Sequence, residues 1–445
     1  MITRRDFLRL SNRAGIAAAT MPLWSNELAI RAFAQLSSPQ YKAVVVVALT
    51  GGNDGNNMVV PLDTHAYQQY SQLRGKVALS QSVPISLDGT ANSSFGTVGL
   101  HPSLMNVAKR FNQRQALIVA NVGPLVKKVT KTQLLSSESL QPQALLSHPA
   151  GVAQWQSATT VALPDSGWGG RIADVLSAYS GSLPPAFTAS GSSIFTVGHS
   201  VQGVAVQSQG GGAIAVPSAL QAVVQTMAES DAQSNNLIVA QVAHLRKSSM
   251  AEQAVLLQAA GYGPTLSQKF STSAFGASMK MIAQIISGRS IIGASRQLFY
   301  CAQGSYDHHQ QLITNQAANL SDLDTNLGAF VDALDDMGLT DQVLVCTHSD
   351  FNRTMQSNIN LGTDHGWGNH QIIIGGGLAG GRIVGDFPDL ELGGDSDMGT
   401  QGIWIPTTSV TQMTAGIGSW MGLTPDQINN VFPDLTNFQG PLQLL

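Results

Sequence analysis

The side chains of this chain that could bind a cation or move a proton collect in four short stretches. Asn53 and Asp54 stand in "GGNDGNN" (51–57), and Asp307, His308 and His309 in "SYDHH" (305–309). His348, Ser349 and Asp350 stand in "CTHSDF" (346–351), and Asp364, His365 and His370 in "TDHGWGNH" (363–370). A hard or borderline divalent cation takes carboxylates and neutral imidazoles from separate elements, at about 2.0–2.2 Å for zinc. Three carboxylates gathered without such a cation would repel and raise one another's pKa. Each stretch also has a plainer reading: a tight turn at Asp54, a solvated pair at His308–His309, a helix N-cap at Asp350, a turn cap at Asp364. The joint pattern favours a metal site. His-x-x-x-His, Cys-x-x-Cys, phosphate-binding glycine loop and Gly-x-Ser-x-Gly motifs do not occur, which disfavours a nucleotide site or a common Ser-His-Asp hydrolase.

These stretches must be positioned by the elements around them. "KAVVVVAL" is β-branched without alternation, as a strand buried on both faces reads. Further apolar runs at 297–302, 342–347 and 370–374 predict short strands, and 101–123 reads as an amphipathic helix, a turn and a strand. Helices are expected over 217–260, 274–288, 320–338 and 407–423; the third carries Leu320, Leu323, Leu327, Phe330, Val331 and Leu334 on one stripe and stops at Gly338. Residues 133–144 read as a loop, and 177–216 as short strands and loops rich in Gly and Ser. The expected fold is three-layer α/β/α with a mostly parallel central sheet. It forms one domain over 35–445, with an inserted cap at about 177–262. In such sheets the loops at the carboxyl ends of the strands converge, and the four polar stretches sit at strand ends.

Residues 1–34 read as a removable export segment: "TRRDFLRL", a modest apolar stretch at 14–24, then "AFA" before Gln35, the twin-arginine pattern. No stretch reaches the roughly 20 apolar residues of a transmembrane helix. A periplasmic or extracellular location follows, reached in the folded state, a route suited to cofactors or metals inserted beforehand. Losing five Arg and two acidic residues with that segment takes the net charge from −4 to −7, with no basic run, so nucleic acid is not an expected partner. At 43% hydrophobic residues the chain can bury a large core. The two cysteines, Cys301 and Cys346, end two apolar runs; a disulfide would be permitted if those strands were adjacent, and two buried thiols are the equal alternative.

Further motifs run in order along 40–435: "GGNDGNN" then "VVP" (59–61), "LHP" (100–102), "SHPAGVAQWQ" (147–156), "GWGGR" (167–171), "YDHH" (306–309), "SDFNRT" (349–354), "TDHG" (363–366) and "GGGLAGGRIVGDFP" (375–388). In these the chain resembles a large family of twin-arginine-exported bacterial proteins known as domain of unknown function 1501. That family looks like a branch of the alkaline phosphatase and sulfatase superfamily, which holds two metal ions at the carboxyl edge of its sheet. The resemblance implies Asp54 as the first-strand ligand and Ser147, at a helix start, as the nucleophile. It implies Asp307, His309 and His365 around one ion, and Asp350 with Asp54 around the other. Phe351 stands where a ligand His is usual, so His348 or His148 would have to substitute. Tyr306 and Asp350 replace the more common Trp and Glu. Asn53, His308 and Asp364 would support these ligands, Asp364 by orienting His365 or capping its loop, and Arg171 or Arg353 would hold an anionic substrate.

Two functions follow. One is a metal-dependent hydrolase of phosphate or sulfate esters, small or polymeric, using zinc, manganese, magnesium, calcium or iron. The other is a non-catalytic binding or structural protein on the same scaffold, contacting an envelope component or a protein partner; the absent His at 351 and the low-charge surface point that way. An oxidoreductase subunit lacks any cofactor motif.

Overall fold

The computed structural model describes residues 40–179, 181–206, 218–262 and 266–445. The export segment 1–34 lies outside them. β1 (Lys42–Leu49) has all but its first residue buried, as a strand covered on both faces requires. The other strands are β2 (Val59–Pro61), β3 (Ile85–Ser86), β4 (Val98–Leu100), β5 (Ala116–Gly123), β6 (Ala186–Thr188), β7 (Val204–Ala205), β8 (Arg296–Gln303), β9 (Val343–Ser349), β10 (Asn369–Gly375), β11 (Arg382–Val384) and β12 (Thr408–Ser409). Among the described residues, nine of them form one sheet in the order β11-β5-β10-β9-β1-β8-β6-β7, with β12 also on β5; β2, β4 and β3 form a small separate sheet.

The pairings of the main sheet are parallel except for β10, which runs antiparallel to both β5 and β9. That exception matters for the site. Because β10 runs backwards, the loop that precedes it lies at the carboxyl ends of β1, β8 and β9.

Helices cover both faces. They are α1 (Gly55–Met58), α2 (Thr64–Arg74), α3 (Met105–Asn112), α4 (His148–Ser157), α5 (Trp168–Leu176), α6 (Ala274–Ser287), α7 (Leu312–Asp336) and α8 (Val410–Met421), besides shorter and peripheral ones. On one face Val44, Val46, Leu298, Leu344 and Cys346 pack with Trp155 of α4, Ile172 of α5 and Met413 of α8. On the other, Met279 of α6 touches Cys301, and α7 packs between α6 and α3. The three-layer α/β/α expectation holds.

Several details differ from the sequence reading. The helix expected over 217–260 is two, Ser218–Asp231 and Leu237–Tyr262, broken at "AQSNN". α7 starts at Leu312 rather than 320. A capping box at Thr130 starts a short helix, Lys131–Ser136, inside what reads as loop. The short strands expected over 177–216 include β6 and β7, which extend the main sheet beside β8.

No disulfide joins Cys301 and Cys346; both are free and buried. β1 lies between their strands, with Val47 paired to Cys301 and Val46 to Cys346. The thiols are thus roughly two strand spacings, about 9.5 Å, apart and on opposite faces, beyond the roughly 7 Å Cα separation a disulfide spans. Burial pushes both thiols up, that of Cys346 to about 12. No helix among the described residues is long and apolar enough to cross a membrane.

Candidate metal centre

Five segments meet at the carboxyl edge: the exits of β1, β8 and β9, the loop entering β10, and the start of α4. Two glycines permit the approach. A Cβ on Gly51 (φ +107°) would stand 2.6 Å from the Asp307 amide nitrogen, and one on Gly151 would stand 2.5 Å from the Asp350 carbonyl. α4 can therefore lie directly against the β9 exit. Ala144 and Leu146, both at positive φ, turn the chain into Ser147 and aim the Leu146 carbonyl at the cluster.

The cluster is built from three imidazoles around one carboxylate. Nδ1 of His148 lies 2.8 Å from Asp350 Oδ2, that of His309 lies 3.0 Å from Asp364 Oδ1, and that of His365 lies 2.8 Å from the Leu146 carbonyl. Carbonyls and ionised carboxylates only accept, so each Nδ1 carries a proton, and in the neutral ring the lone pair lies on Nε2. The three Nε2 atoms face Asp307, at 3.5 Å for His148, 3.0 Å for His309 and 3.8 Å for His365. Nε2 of His309 and His365 are 3.3 Å apart. Donor atoms of His148, Asp307 and His365 all lie within 4.8 Å of one another. His148 Nε2 is buried with no hydrogen-bond partner.

This donor set fits a divalent cation. Lone pairs aimed at one another and at a carboxylate repel; the Arg353 guanidinium relieves this at Asp307 and, at 3.4 Å, at His309 Nε2, while a cation would serve His148 Nε2, which has no hydrogen-bond partner. Donors about 2.0–2.2 Å from a tetrahedral ion stand roughly 3.3–3.6 Å apart, close to the separations above. Imidazoles whose far nitrogen is held by a carboxylate or carbonyl are the usual orientation of metal-binding histidines. Phe351 walls the cluster, its ring 4.7 Å from His148 and 4.6 Å from His365.

Charge tunes the same groups. Burial pushes Asp307 up, but the hydrogen bond and charge of Arg353, with His309 and His148, outweigh it and hold the carboxyl below its usual value. His365 is lowered, chiefly by burial, with Arg353 and His148 adding to it.

The structure thus brings together His148, Asp307, His309, Asp350, Asp364 and His365. Other candidates lie elsewhere. Asp54 is fully buried, pairs with Arg74 at 2.8 Å and caps α1 through the Asn57 amide. Asn53 is buried behind it, its amide group between Met58 and Gln316. His308 turns the other way from His309, toward Asn319 of α7. His348 is buried against Trp155. His370 accepts from the Asn121 amide inside the sheet.

Neither arginine is free to hold a substrate anion. Arg353 is fully buried and donates to Gly51, Gly52, Tyr306 and Thr363 carbonyls, to Asp307 and, at 3.4 Å, to His309 Nε2. Arg171 clamps the Ser157, Ser166 and Val431 carbonyls away from the cluster. Ser147 holds the N-cap position of α4, half-buried, with no capping bond from its side chain.

Sequence reasoning ranked His148 as a substitute; its neighbourhood to Ser147 was the available signal. The roles of the Leu146 carbonyl and of Phe351 had none.

The family described as "Protein of unknown function (DUF1501)" matches residues 41–432. No curated protein matches the chain. Similar solved structures include the PsFucS1 sulfatase from Pseudoalteromonas sp., 10% identical over 83% of this chain and 70% of that one, with a TM-score of 0.35. The phosphonate monoester hydrolase of Agrobacterium radiobacter is 9% identical over 86% and 74%, TM-score 0.36. An alkaline phosphatase superfamily protein from Vibrio parahaemolyticus is 11% identical over 87% and 67%, TM-score 0.32.

Proposed function

The chain belongs to the DUF1501 family of proteins of unknown function, and from that premise we propose that it is an exported, metal-dependent hydrolase of phosphate or sulfate esters. The observation that carries the reading is the set of three imidazoles, each fixed through Nδ1, whose Nε2 atoms face Asp307. His148, Asp307, His309 and His365 would hold the cation, with Asp350, Asp364 and the Leu146 carbonyl fixing the rings. A divalent ion bound there would act as a Lewis acid on an ester oxygen.

The chain's own residues supply the rest. Ser147 is the proposed nucleophile, its hydroxyl at the head of α4 one residue before His148. The helix start favours negative charge developing beside it. Phe351 packs against the rings of His148 and His365. With Arg353 and Arg171 occupied by backbone carbonyls, anion recognition rests on the cation and the α4 amides.

The test is metal content of the exported protein, purified without chelator, followed by turnover of aryl phosphates and sulfates. Near-stoichiometric metal and turnover that vanishes in Ser147→Ala support the reading; a well-folded protein that takes up no zinc, manganese, magnesium, calcium or iron ends it.

A second reading, a non-catalytic binding protein on this scaffold, draws on Asp54. With that carboxylate paired to Arg74, the first strand offers no ligand for a second ion. Bound metal without turnover across diverse esters would favour it.

A further inference from the structure

Behind the centre, β9 and α4 enclose buried polar atoms that the proposed chemistry does not use. Asp350 accepts on Oδ2 from His148 Nδ1 at 2.8 Å and from the Gly51 amide at 3.0 Å, while its Oδ1 is buried with no hydrogen-bond partner. His348 lies on β9 two residues before Asp350, which directly follows the strand's last residue, Ser349. The His348 side chain is 4% exposed, and neither ring nitrogen has a partner. Nε1 of Trp155 has none either, and its ring stacks on His348 with centroids 5.5 Å apart at 11°. The Tyr300 ring lies 5.9 Å from His348.

Each such orphan costs about 1–3 kcal/mol. Further down the face that holds His348, β9 carries Leu344 and Cys346 in the apolar core, so packing alone calls for an apolar residue at 348. A second metal does not account for the arrangement: among the described residues no third donor joins Asp350 and His348 in a ligand group. What remains is the acceptor Asp350 Oδ1, the donor on Trp155, and an imidazole able to give one hydrogen bond and take one. One buried water, which characteristically joins about three such groups, would serve Asp350 Oδ1, the Trp155 N–H and one of the two His348 nitrogens.

We propose that His348 is a positioning residue for the cation centre: with Trp155 it holds an internal water against Asp350 Oδ1, and so fixes the carboxylate that orients His148. The inference rests on reading the cluster as a cation site. Outer partners of metal-bound histidines act in this way, and their loss costs roughly 10–100-fold in metal affinity.

The experiment measures zinc affinity of the full exported protein by competition with a chromophoric chelator, beside the melting temperature of the metal-free form. The proteins are wild type, His348→Phe, His348→Gln and Trp155→Phe. The expected result is about 10–100-fold weaker zinc binding in His348→Phe with an unchanged or higher melting temperature, and recovery of most of that loss in His348→Gln. Trp155→Phe keeps an aromatic side chain but removes the indole N–H together with the volume of its second ring; it is expected to weaken binding severalfold, more than its melting temperature accounts for, and it carries the test if His348→Phe does not fold. Wild-type affinity in both Phe variants overturns the inference and leaves the centre standing. Losses that merely track melting temperature, with Gln no better than Phe, reduce His348 to core filling and overturn it as well. A wild type that binds no zinc or other divalent ion overturns both.

Discussion

Asp54 and Arg74 form an ion pair of 2.8 Å in which neither side chain is exposed at all. The pair ties the β1 exit to the end of α2, and Arg74 also donates to the Thr354 and Met355 carbonyls and to Asn57. We read a carboxylate held this way as part of the frame under the site. Removing one partner strands the other charge, so Asp54→Ala is expected to cost about 3–5 kcal/mol while bound metal per folded protein stays at the wild-type level. Denaturant unfolding beside metal analysis checks this; loss of metal from a still-folded variant would return Asp54 to the ligand set.

The ligands and the groups that orient them should separate by degree. Single Ala substitutions of His148, Asp307 or His365 are expected to abolish stoichiometric metal. Asp350→Asn and Asp364→Asn should retain it with roughly 10–100-fold weaker affinity, because they change only how the rings are held. Chelator competition on the five variants decides the ranking.

Ser147 makes no side-chain capping bond, so Ser147→Ala should fall short of the typical ~1 kcal/mol of a lost cap. As the proposed nucleophile, its loss should cut turnover at least about a thousandfold with metal content unchanged. Full activity in this variant would remove Ser147 from the mechanism.

Burial holds three histidines neutral: His348 and His370 are lowered to about 3, and His101 to about 4. Between those values and the ordinary pKa near 6.5, the unfolded chain takes up protons that the folded chain refuses. Stability should therefore fall as pH drops below about 6.5, by about 1.4 kcal/mol per pH unit for each histidine, until the folded-state values are reached. Urea unfolding of the metal-free protein at pH 7, 6 and 5 reads the slope. A flat profile would mean that these rings are hydrated in solution.

Cys301 and Cys346 face opposite sides of the sheet. The purified protein denatured without reductant should titrate two thiols, and reductant should leave the melting temperature unchanged. Fewer than two thiols would contradict the strand order.

The linear sequence settled what depends on neighbours along the chain. The unalternated apolar run of β1 and the striped apolar face of α7 mark their own elements, and Asp307, His309 and His365 sit where a strand ends or begins. Those features are written in residue type and spacing, and burial of apolar surface then fixes which edge of the sheet they share.

Which of those polar residues meet was decided by contacts between distant segments. Asp54 is taken by Arg74 because α2 folds back over the β1 exit. His148 joins the cluster because Gly151 lets α4 press against Asp350, 202 positions from His148. His348, the last but one residue of β9, is covered by Trp155, whereas Asp350, just beyond the strand, reaches His148. His365 reaches the same edge only because β10 runs antiparallel. Local spacing holds no information about strand direction or helix docking; the packing of the whole chain sets both, and with them the membership of the site.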